Sequence, residues 1–178
     1  GLFNFLSEVV VSTTSSDVLG AVLLGLLLLI VEQVISIPIS IYSTFVIEER
    51  HGFNKTTTKT FVTDISKSLL ISATISSVIY ATVIYIVVNL GDNWWIYAFG
   101  AVFTLQAIIF FLYPVLIMPL FNKFEPLDDD EFKKPIEKLL EKIDFKSKGL
   151  FVMNASLRST HGNAFFTGFG KNKRIVFF

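Results

Sequence analysis

Residues 18–47, VLGAVLLGLLLLIVEQVISIPISIYSTFVI, form an apolar run whose only charged residue is Glu32. About 20 apolar residues in a helix cross the hydrocarbon core of a bilayer, so this run is long enough to span a membrane. It also lacks the polar face that recurs every ~3.6 residues in the surface helices of soluble proteins. We therefore predict a transmembrane helix over 18–47. A single long, kinked helix is favoured over two shorter pieces that meet at Glu32, one of them re-entrant.

Two further apolar runs predict spans over 68–90 and 95–121. Residues 1–121 carry only 4 basic and 7 acidic side chains, whereas residues 122–178 carry 11 and 8. The first part is therefore membrane-like and the second is typical of a soluble domain. The predicted fold class is a multi-pass α-helical membrane bundle, with three spans within 18–121, followed by an α+β portion over 122–178.

The composition excludes several kinds of function. The 15 basic and 15 acidic residues balance, so no net charge favours nucleic acid as a partner. The chain has no cysteine, which excludes disulfides, thiolate zinc sites and iron–sulfur clusters built from its own residues. The lipid bilayer is the one partner that the composition predicts.

The charges of the connecting segments predict the orientation. The loop 48–67 contains four basic residues, whereas the turn at 89–94 contains only Asp92 and the segment 1–17 has no basic residue. Basic loops stay on the cytosolic side of a membrane. We therefore expect 48–67 and 122–178 in the cytosol, and the lead-in 1–17 and the 89–94 turn on the opposite side.

The portion 122–178 combines one helix with several strands. Asp128, Asp129 and Asp130 provide capping side chains, and the apolar residues that follow have helical spacing, so we expect a helix that begins around 129–131. Residues 150–153, 164–167 and 174–178 predict strands, with a hairpin loop at 168–172. Because the last strand reaches the final residue and Gly1 is not a methionine, we expect the natural protein to extend beyond both ends.

Three polar features are candidates for a functional site. Glu32 lies inside a span, where a carboxylate either serves a function or packs protonated or paired inside the bundle. Residues 48–54 are either a solvated loop or part of a site. Residues 159–168 predict an edge strand that could pair with an extended peptide, although the spacing alone favours a purely structural strand with a loop histidine. The two histidines, His51 and His161, are too far apart to form a zinc-binding helix motif.

The sequence contains three motifs with specific patterns, IEERHGFNKTT at 47–57, LIMPLFNKFEPL at 116–127 and RSTHGNAFFTG at 158–168. They resemble motifs of the type I CAAX prenyl protease family, the a-factor-converting zinc metalloendopeptidases. The resemblance extends from about residue 18 to residue 178. It implies a seven-helix bundle around a water-filled chamber, closed by a cytosolic zincin-like protease domain. The implied location is the endoplasmic reticulum membrane, with the inner nuclear membrane as a further site.

The resemblance implies an enzyme that removes the last three residues of prenylated CAAX proteins and cuts a-factor-like precursors a second time. In the family, zinc is held by a His-Glu-x-x-His helix and a later Glu, and the glutamate of that motif is the general base. None of these residues is present here, so the resemblance implies zinc ligands downstream of Phe178 and no catalytic or metal-binding residue within the chain.

The same resemblance identifies substrate-binding candidates in the third motif. Asn163 would bind substrate through its side-chain amide and Ala164 through its backbone, with His161 and Phe165 beside them. In the first motif, Arg50 and His51 match residues that could contact the C-terminus of the substrate. Glu32 is a further candidate within the membrane. The alternatives are a proton-coupled transporter and a non-catalytic membrane scaffold.

Overall fold

The computed structural model describes residues 1–168 and 173–178. They form two compact units, each assembled from two separate stretches of sequence. The first unit contains Gly1–Ser43 and Phe61–Ile109, and the second contains Thr44–Thr60 and Phe110–Phe178. All three motifs that carry the family resemblance therefore fall within the second unit.

Three helical stretches are long and apolar enough to cross a membrane: Asp17–Glu48, Thr58–Asn89 and Gly91–Phe121. The first consists of helix α2 (Asp17–Tyr42) and a π-helical segment (Ser43–Glu48). Helix α2 continues without a break through Glu32 and Pro38, so the first run is one long helix rather than two pieces that meet at Glu32. The fold class predicted from the sequence is confirmed in this part.

The segment 1–17, expected only as a lead-in, contains a helix of its own. Helix α1 (Leu2–Thr13) packs on α2 and buries Leu6 and Val10. Its apolar residues are too few to span a membrane, but they cover part of the α2 surface. Because the contact with α2 depends on tertiary packing, hydropathy alone could not predict it.

Helix α3 (Thr58–Asn89) begins ten residues before the expected start of the second span at residue 68. The hydroxyl of Thr57 accepts a hydrogen bond from the backbone N–H of Thr60 (3.1 Å) and so caps the helix. A helix of this length measures about 48 Å, which exceeds the ~30 Å hydrocarbon core. Helix α3 is therefore longer than its apolar part and includes polar first turns. The loop expected at 48–67 is correspondingly shorter.

The third stretch starts with a 3₁₀ turn (Gly91–Asn93) and helix α4 (Trp94–Leu112). A π-helical segment (Tyr113–Ile117) that contains Pro114 leads into the short helix α5 (Met118–Phe121). Proline has no amide hydrogen for the helical ladder, so a local change of helix type is expected where it occurs.

Beyond α5, the second unit contains a helix and a sheet. Helix α6 (Asp130–Lys142) begins where the sequence predicted, because the side chain of Asp129 accepts a hydrogen bond from the backbone N–H of Glu131 (2.9 Å). Strands β2 (Gly149–Met153), β3 (Ala164–Thr167) and β4 (Arg174–Phe177) confirm the three predicted strands. The expected hairpin loop at 168–172 lies, apart from Gly168, outside the described residues.

The sheet also contains β1 (Phe124–Pro126), a strand that the sequence analysis missed. The strand order is β1-β2-β4-β3, with β2 and β4 parallel and the two outer pairs antiparallel. Leu150 on β2 and Val176 on β4 are both buried, and the register places them on opposite faces. Each face of the two central strands therefore has one buried side chain, and β3 is placed by its antiparallel pairing with β4.

Candidate functional site

Strand β3 lies at one edge of the sheet formed by the described residues, where only β4 pairs with it. Immediately before β3, the backbone N–H of Asn163 donates to the carbonyl of Phe178 (2.7 Å). The N–H of Phe178 donates in return to the carbonyl of Asn163 (2.9 Å). Asn163 and Phe178 are thus a hydrogen-bonded pair of an antiparallel ladder, and this pair sets the alternation along β3.

The backbone groups of Ala164 and Phe166 face away from β4. Hydrogen-bonded and non-bonded pairs alternate in an antiparallel ladder, and the register places Ala164 opposite Phe177 and Phe166 opposite Ile175. Since Asn163 belongs to a bonded pair, Ala164 and Phe166 belong to non-bonded pairs. Their N–H and C=O groups therefore point toward the sheet edge, where an added peptide strand would pair with them.

The side chain of Asn163 lies next to this edge. Its Oδ1 accepts a hydrogen bond from the backbone N–H of Ala164 (2.8 Å), and both residues are exposed. With Oδ1 occupied, the two hydrogens of the Asn163 amide are the donors that remain for a ligand. Phe165 is oriented differently, because its ring packs against Phe178 with 6.0 Å between centroids. Phe165 therefore supports the paired strands β3 and β4 on one face of the sheet.

His161 is in contact with the first motif through Phe53. The ring centroids of Phe53 and His161 are 4.1 Å apart, and those of His51 and Phe53 are 6.4 Å apart. The two histidines of the chain thus both lie near the ring of one phenylalanine, although 110 residues separate them in sequence. The structure brings together the candidates His51 and His161, which the sequence analysis treated as separate features.

The first motif forms a defined helix terminus. Gly52 has φ of 73°, its N–H donates to the carbonyl of Glu49 (3.0 Å), and the N–H of Phe53 donates to the carbonyl of Glu48 (2.9 Å). These two bonds are those of a Schellman motif, in which a left-handed glycine ends the helix. Asn54, two residues after Gly52, donates a hydrogen bond from its side-chain amide to Oε2 of Glu49 (2.9 Å). The turn thereby directs Phe53 and Asn54 away from the helix.

The chain that leaves this turn pairs with the start of the third motif. The N–H of Lys55 donates to the carbonyl of Arg158 (2.9 Å), and the N–H of Thr160 donates to the carbonyl of Phe53 (3.1 Å). Asn54 and Ser159 form an antiparallel bridge between these two bonds. The segment 53–56 is therefore attached to the segment that leads to Asn163.

The other two candidates have different positions. Arg50 is exposed in the last turn of the helix that Gly52 ends, one residue before His51. Glu32 is exposed in the middle of α2, in the first unit. The sequence analysis assigned no role to Phe53 or Arg158, although both fall within its motifs. Contacts across 36 residues for Arg158 and 108 residues for Phe53 identify them, and one sequence gives no signal for such contacts.

The described residues contain no group of three or more His, Cys, Asp or Glu side chains that could hold a metal ion. The arrangement around β3 can bind an extended peptide and position it.

Three helices of membrane-span type, joined to a mixed sheet with an accessible edge, define a multi-pass membrane protein with an α+β portion. Residues 1–123 match the family model described as the CAAX prenyl protease N-terminal domain with five membrane helices. Residues 126–178 match the model of peptidase family M48, which is a metallopeptidase family. Since the first match covers more than half of the chain, the chain belongs to the CAAX prenyl protease family.

Named relatives agree with this membership. The CAAX prenyl protease 1 homolog of Arabidopsis thaliana is 47% identical over 146 residues, which cover 82% of this chain and 34% of that protein. The probable CAAX prenyl protease 1 of Schizosaccharomyces pombe is also 47% identical, over 82% of this chain and 31% of that protein. The crystal structure of S. mikatae Ste24p superposes with a TM-score of 0.88 at 36% identity, over 98% of this chain and 42% of that chain. The chain thus spans about a third of the length of these curated relatives.

Proposed function

We propose that the full-length protein is a zinc metalloendopeptidase of the membrane that removes the C-terminal tripeptide of prenylated CAAX proteins. Further processing of a-factor-like precursors is part of the same proposal. The observation that carries it is the sheet edge at Ala164 and Phe166, with the Asn163 amide beside it. The names of the relatives, CAAX prenyl protease 1 and its homologs, support the proposed substrate class.

The edge suits a peptide substrate because the backbone alone provides most of the pairing. A peptide added antiparallel or parallel to β3 would bond with the outward C=O of Ala164 and with the outward N–H and C=O of Phe166. It would also replace Asn163 Oδ1 as the acceptor of the Ala164 N–H. The Asn163 amide would donate to a peptide carbonyl, and His161 would form a polar wall next to Phe53. Phe165 would act through the packing of its ring on Phe178 and not by direct contact.

The membrane helices suit the lipid part of the same substrate. A prenylated CAAX protein is held at the bilayer by its isoprenoid, so its protease needs both a membrane bundle and a peptide-binding edge. In this proposal Arg50 and His51 contact the substrate C-terminus, and Glu32 is a polar group within the membrane. The proposed location is the endoplasmic reticulum membrane, with the inner nuclear membrane as a further site and with the residues after 121 in the cytosol.

Zinc is the proposed metal because it is the metal of the resembling family. The described residues supply no ligand cluster for it. The proposal therefore places the zinc ligands in the part of the relatives' length that this chain does not span. The roles assigned to residues of this chain are those of binding and positioning.

The test is cleavage of a farnesylated CAAX peptide by the purified full-length protein in detergent or liposomes. We expect release of the C-terminal tripeptide by the wild type and a loss of roughly tenfold or more in kcat/KM for Asn163→Ala. Asn93→Ala is the matched control, because Asn93 is an exposed asparagine in the 3₁₀ turn before α4. A wild type that does not release the tripeptide would contradict the proposed function. An active wild type with equal kcat/KM for both variants would contradict the role of Asn163.

A further inference from the structure

Arg158 connects the three family motifs to one another. Its Nη2 donates to the backbone carbonyl of Phe121 (2.7 Å), and its Nη1 donates to Oδ1 of Asn122 (3.0 Å). Phe121 is the last residue of α5, so its carbonyl lies at the C-terminal end of that helix. The guanidinium thus caps the C-terminal end of the third span-type stretch, where a positive charge is also favoured by the helix dipole.

The backbone of Arg158 holds a second chain segment. Its carbonyl accepts hydrogen bonds from the N–H of Lys55 (2.9 Å) and from the hydroxyl of Thr56 (3.1 Å). Lys55 and Thr56 follow the turn that ends the first span-type stretch. One residue therefore joins the ends of two membrane-span stretches, and it stands five positions before Asn163.

We propose that Arg158 is a positioning residue that holds the segment 159–163, and with it the peptide-binding edge at Ala164, against the ends of these two stretches. The proposal rests on the proposed function, since it takes the β3 edge as the peptide site. The substrate carries its lipid and its scissile peptide on neighbouring residues. A protease that cuts at a fixed distance from the lipid therefore needs an edge whose position relative to the helix ends does not vary.

The chemistry of the side chain explains why arginine is suited to this place. A guanidinium presents several donors in a rigid fork, so it bonds a backbone carbonyl and a side-chain amide at the same time. A lysine retains the charge but has a single ammonium in place of the fork. Asn122 contributes only one of the two acceptors. Substitutions of Arg158 and of Asn122 therefore loosen the junction between the segment 159–163 and the two helix ends by different amounts.

The effect on KM separates positioning from a purely structural role. If Arg158 only stabilised the fold, its loss would reduce the amount of folded enzyme, which lowers the apparent kcat and leaves KM unchanged. A displaced edge binds the peptide less well, which raises KM in the enzyme that remains folded. We expect KM to rise about tenfold for Arg158→Gln and about threefold for Arg158→Lys and Asn122→Ala.

The experiment uses the full-length protein, a farnesylated CAAX peptide and these three variants. Lys138→Gln is the control, because Lys138 is an exposed cation on α6. Amide hydrogen exchange supplies a readout independent of activity. In Arg158→Gln the amides of Lys55 and Thr160, which bond across the junction, should exchange at least tenfold faster, while those of α6 should not change.

The possible outcomes distinguish this proposal from the proposed function. Increased KM for the Arg158 variants with faster exchange at Lys55 and Thr160 would support it. An active wild type with a KM for Arg158→Gln equal to that of Lys138→Gln would overturn it. If the wild type cleaves nothing, the proposed function fails. In that case, unchanged amide exchange in Arg158→Gln would overturn the positioning role of Arg158 as well. Faster amide exchange would support the role of Arg158 in holding these segments together, although the proposed enzymatic function had failed.

Discussion

The ring of Phe53 lies 4.1 Å from the ring of His161, centroid to centroid, at an interplanar angle of 32°. This contact connects the turn after the first membrane-span stretch to the segment that precedes the β3 edge. It adds a side-chain contact to the backbone bonds between residues 53–55 and 158–160. The first and third motifs are therefore parts of one structural element, and substitutions in the first motif should affect substrate binding at the third.

Replacement of Phe53 by alanine should weaken this element. An aromatic pair contributes about 0.5–1.5 kcal/mol beyond its buried area, so we expect Phe53→Ala to lower kcat/KM for a farnesylated peptide by roughly two- to tenfold. Phe53→Tyr, which preserves the ring, should stay within about twofold of the wild type. The control is Phe132→Ala on α6, because Phe132 is 65% exposed. Equal rates for Phe53→Ala and Phe132→Ala would show that the ring contact has no part in substrate binding.

The turn at Gly52 should tolerate only residues that adopt a left-handed conformation. Gly52 has φ of 73°, where a residue with a Cβ is strained by about 1–2 kcal/mol. We expect Gly52→Ala to lower the thermal midpoint of the purified protein, and Gly52→Asn to lower it by less than half as much, because asparagine visits this region more readily than alanine. The measurement is a thermal unfolding scan in detergent. An equal decrease for the two variants would mean that backbone strain at Gly52 is not the cause.

Close packing between two membrane-span helices predicts a second pair of glycine variants. A Cβ added at Gly25 on α2 would overlap the ring of Tyr80 on α3, whereas one added at Gly100 on α4 meets no described atom within 4 Å. We expect Gly25→Ala to destabilise the protein by roughly 1–3 kcal/mol and Gly100→Ala to have little effect.

Removal of the Tyr80 ring should reverse the destabilisation that Gly25→Ala causes. In Gly25→Ala combined with Tyr80→Leu the overlap is relieved, so the thermal midpoint should recover relative to Gly25→Ala alone. A double variant less stable than Gly25→Ala would contradict the packing of these two helices.

The sequence predicted the elements of this protein better than the contacts between them. Apolar runs identified the three membrane-span helices, and Asp129 identified the start of α6, because these signals are local. The start of α3 at Thr58 was missed, since a capped polar turn extends the helix beyond its apolar part. The three-residue strand β1 was also missed, because its pairing with β2 depends on residues 25 or more positions away.

The candidate functional site shows the same difference between local features, which the sequence predicted, and distant contacts, which it did not. Asn163 and Ala164 were predicted because the third motif resembles a known edge strand, and the structure has a strand edge at that place. Arg158 and Phe53 were inside quoted motifs without a role, because their partners lie 36 and 108 residues away in sequence. Single-sequence patterns describe periodicity and spacing, and neither reports which distant segments meet.

The predicted orientation can be tested with single cysteines, since the chain has none of its own. In sealed microsomes that hold the full-length protein with any remaining cysteines replaced, Lys146→Cys should react with a membrane-impermeant maleimide added outside. Asp92→Cys should react only after the membrane is opened with detergent. The reason is that the basic loop and the residues after 121 are expected on the cytosolic side and the Asp92 turn on the other. Reaction of Asp92→Cys in intact vesicles would reverse the proposed topology.

Proline substitutions on β3 provide a direct test of the peptide-binding edge. The N–H of Ala164 points away from β4 and, within residues 1–168 and 173–178, bonds the Asn163 side chain, so Ala164→Pro removes an edge donor without breaking the ladder. The N–H of Phe165 faces β4 in a bonded pair, so Phe165→Pro should disrupt the pairing of β3 with β4. We expect Ala164→Pro to retain the thermal midpoint within a few degrees and to lose at least tenfold in kcat/KM, whereas Phe165→Pro should lower both. If Ala164→Pro cleaves farnesylated peptide at the wild-type rate, the outward N–H of Ala164 does not bind the substrate, and peptide pairing at this end of the edge is wrong.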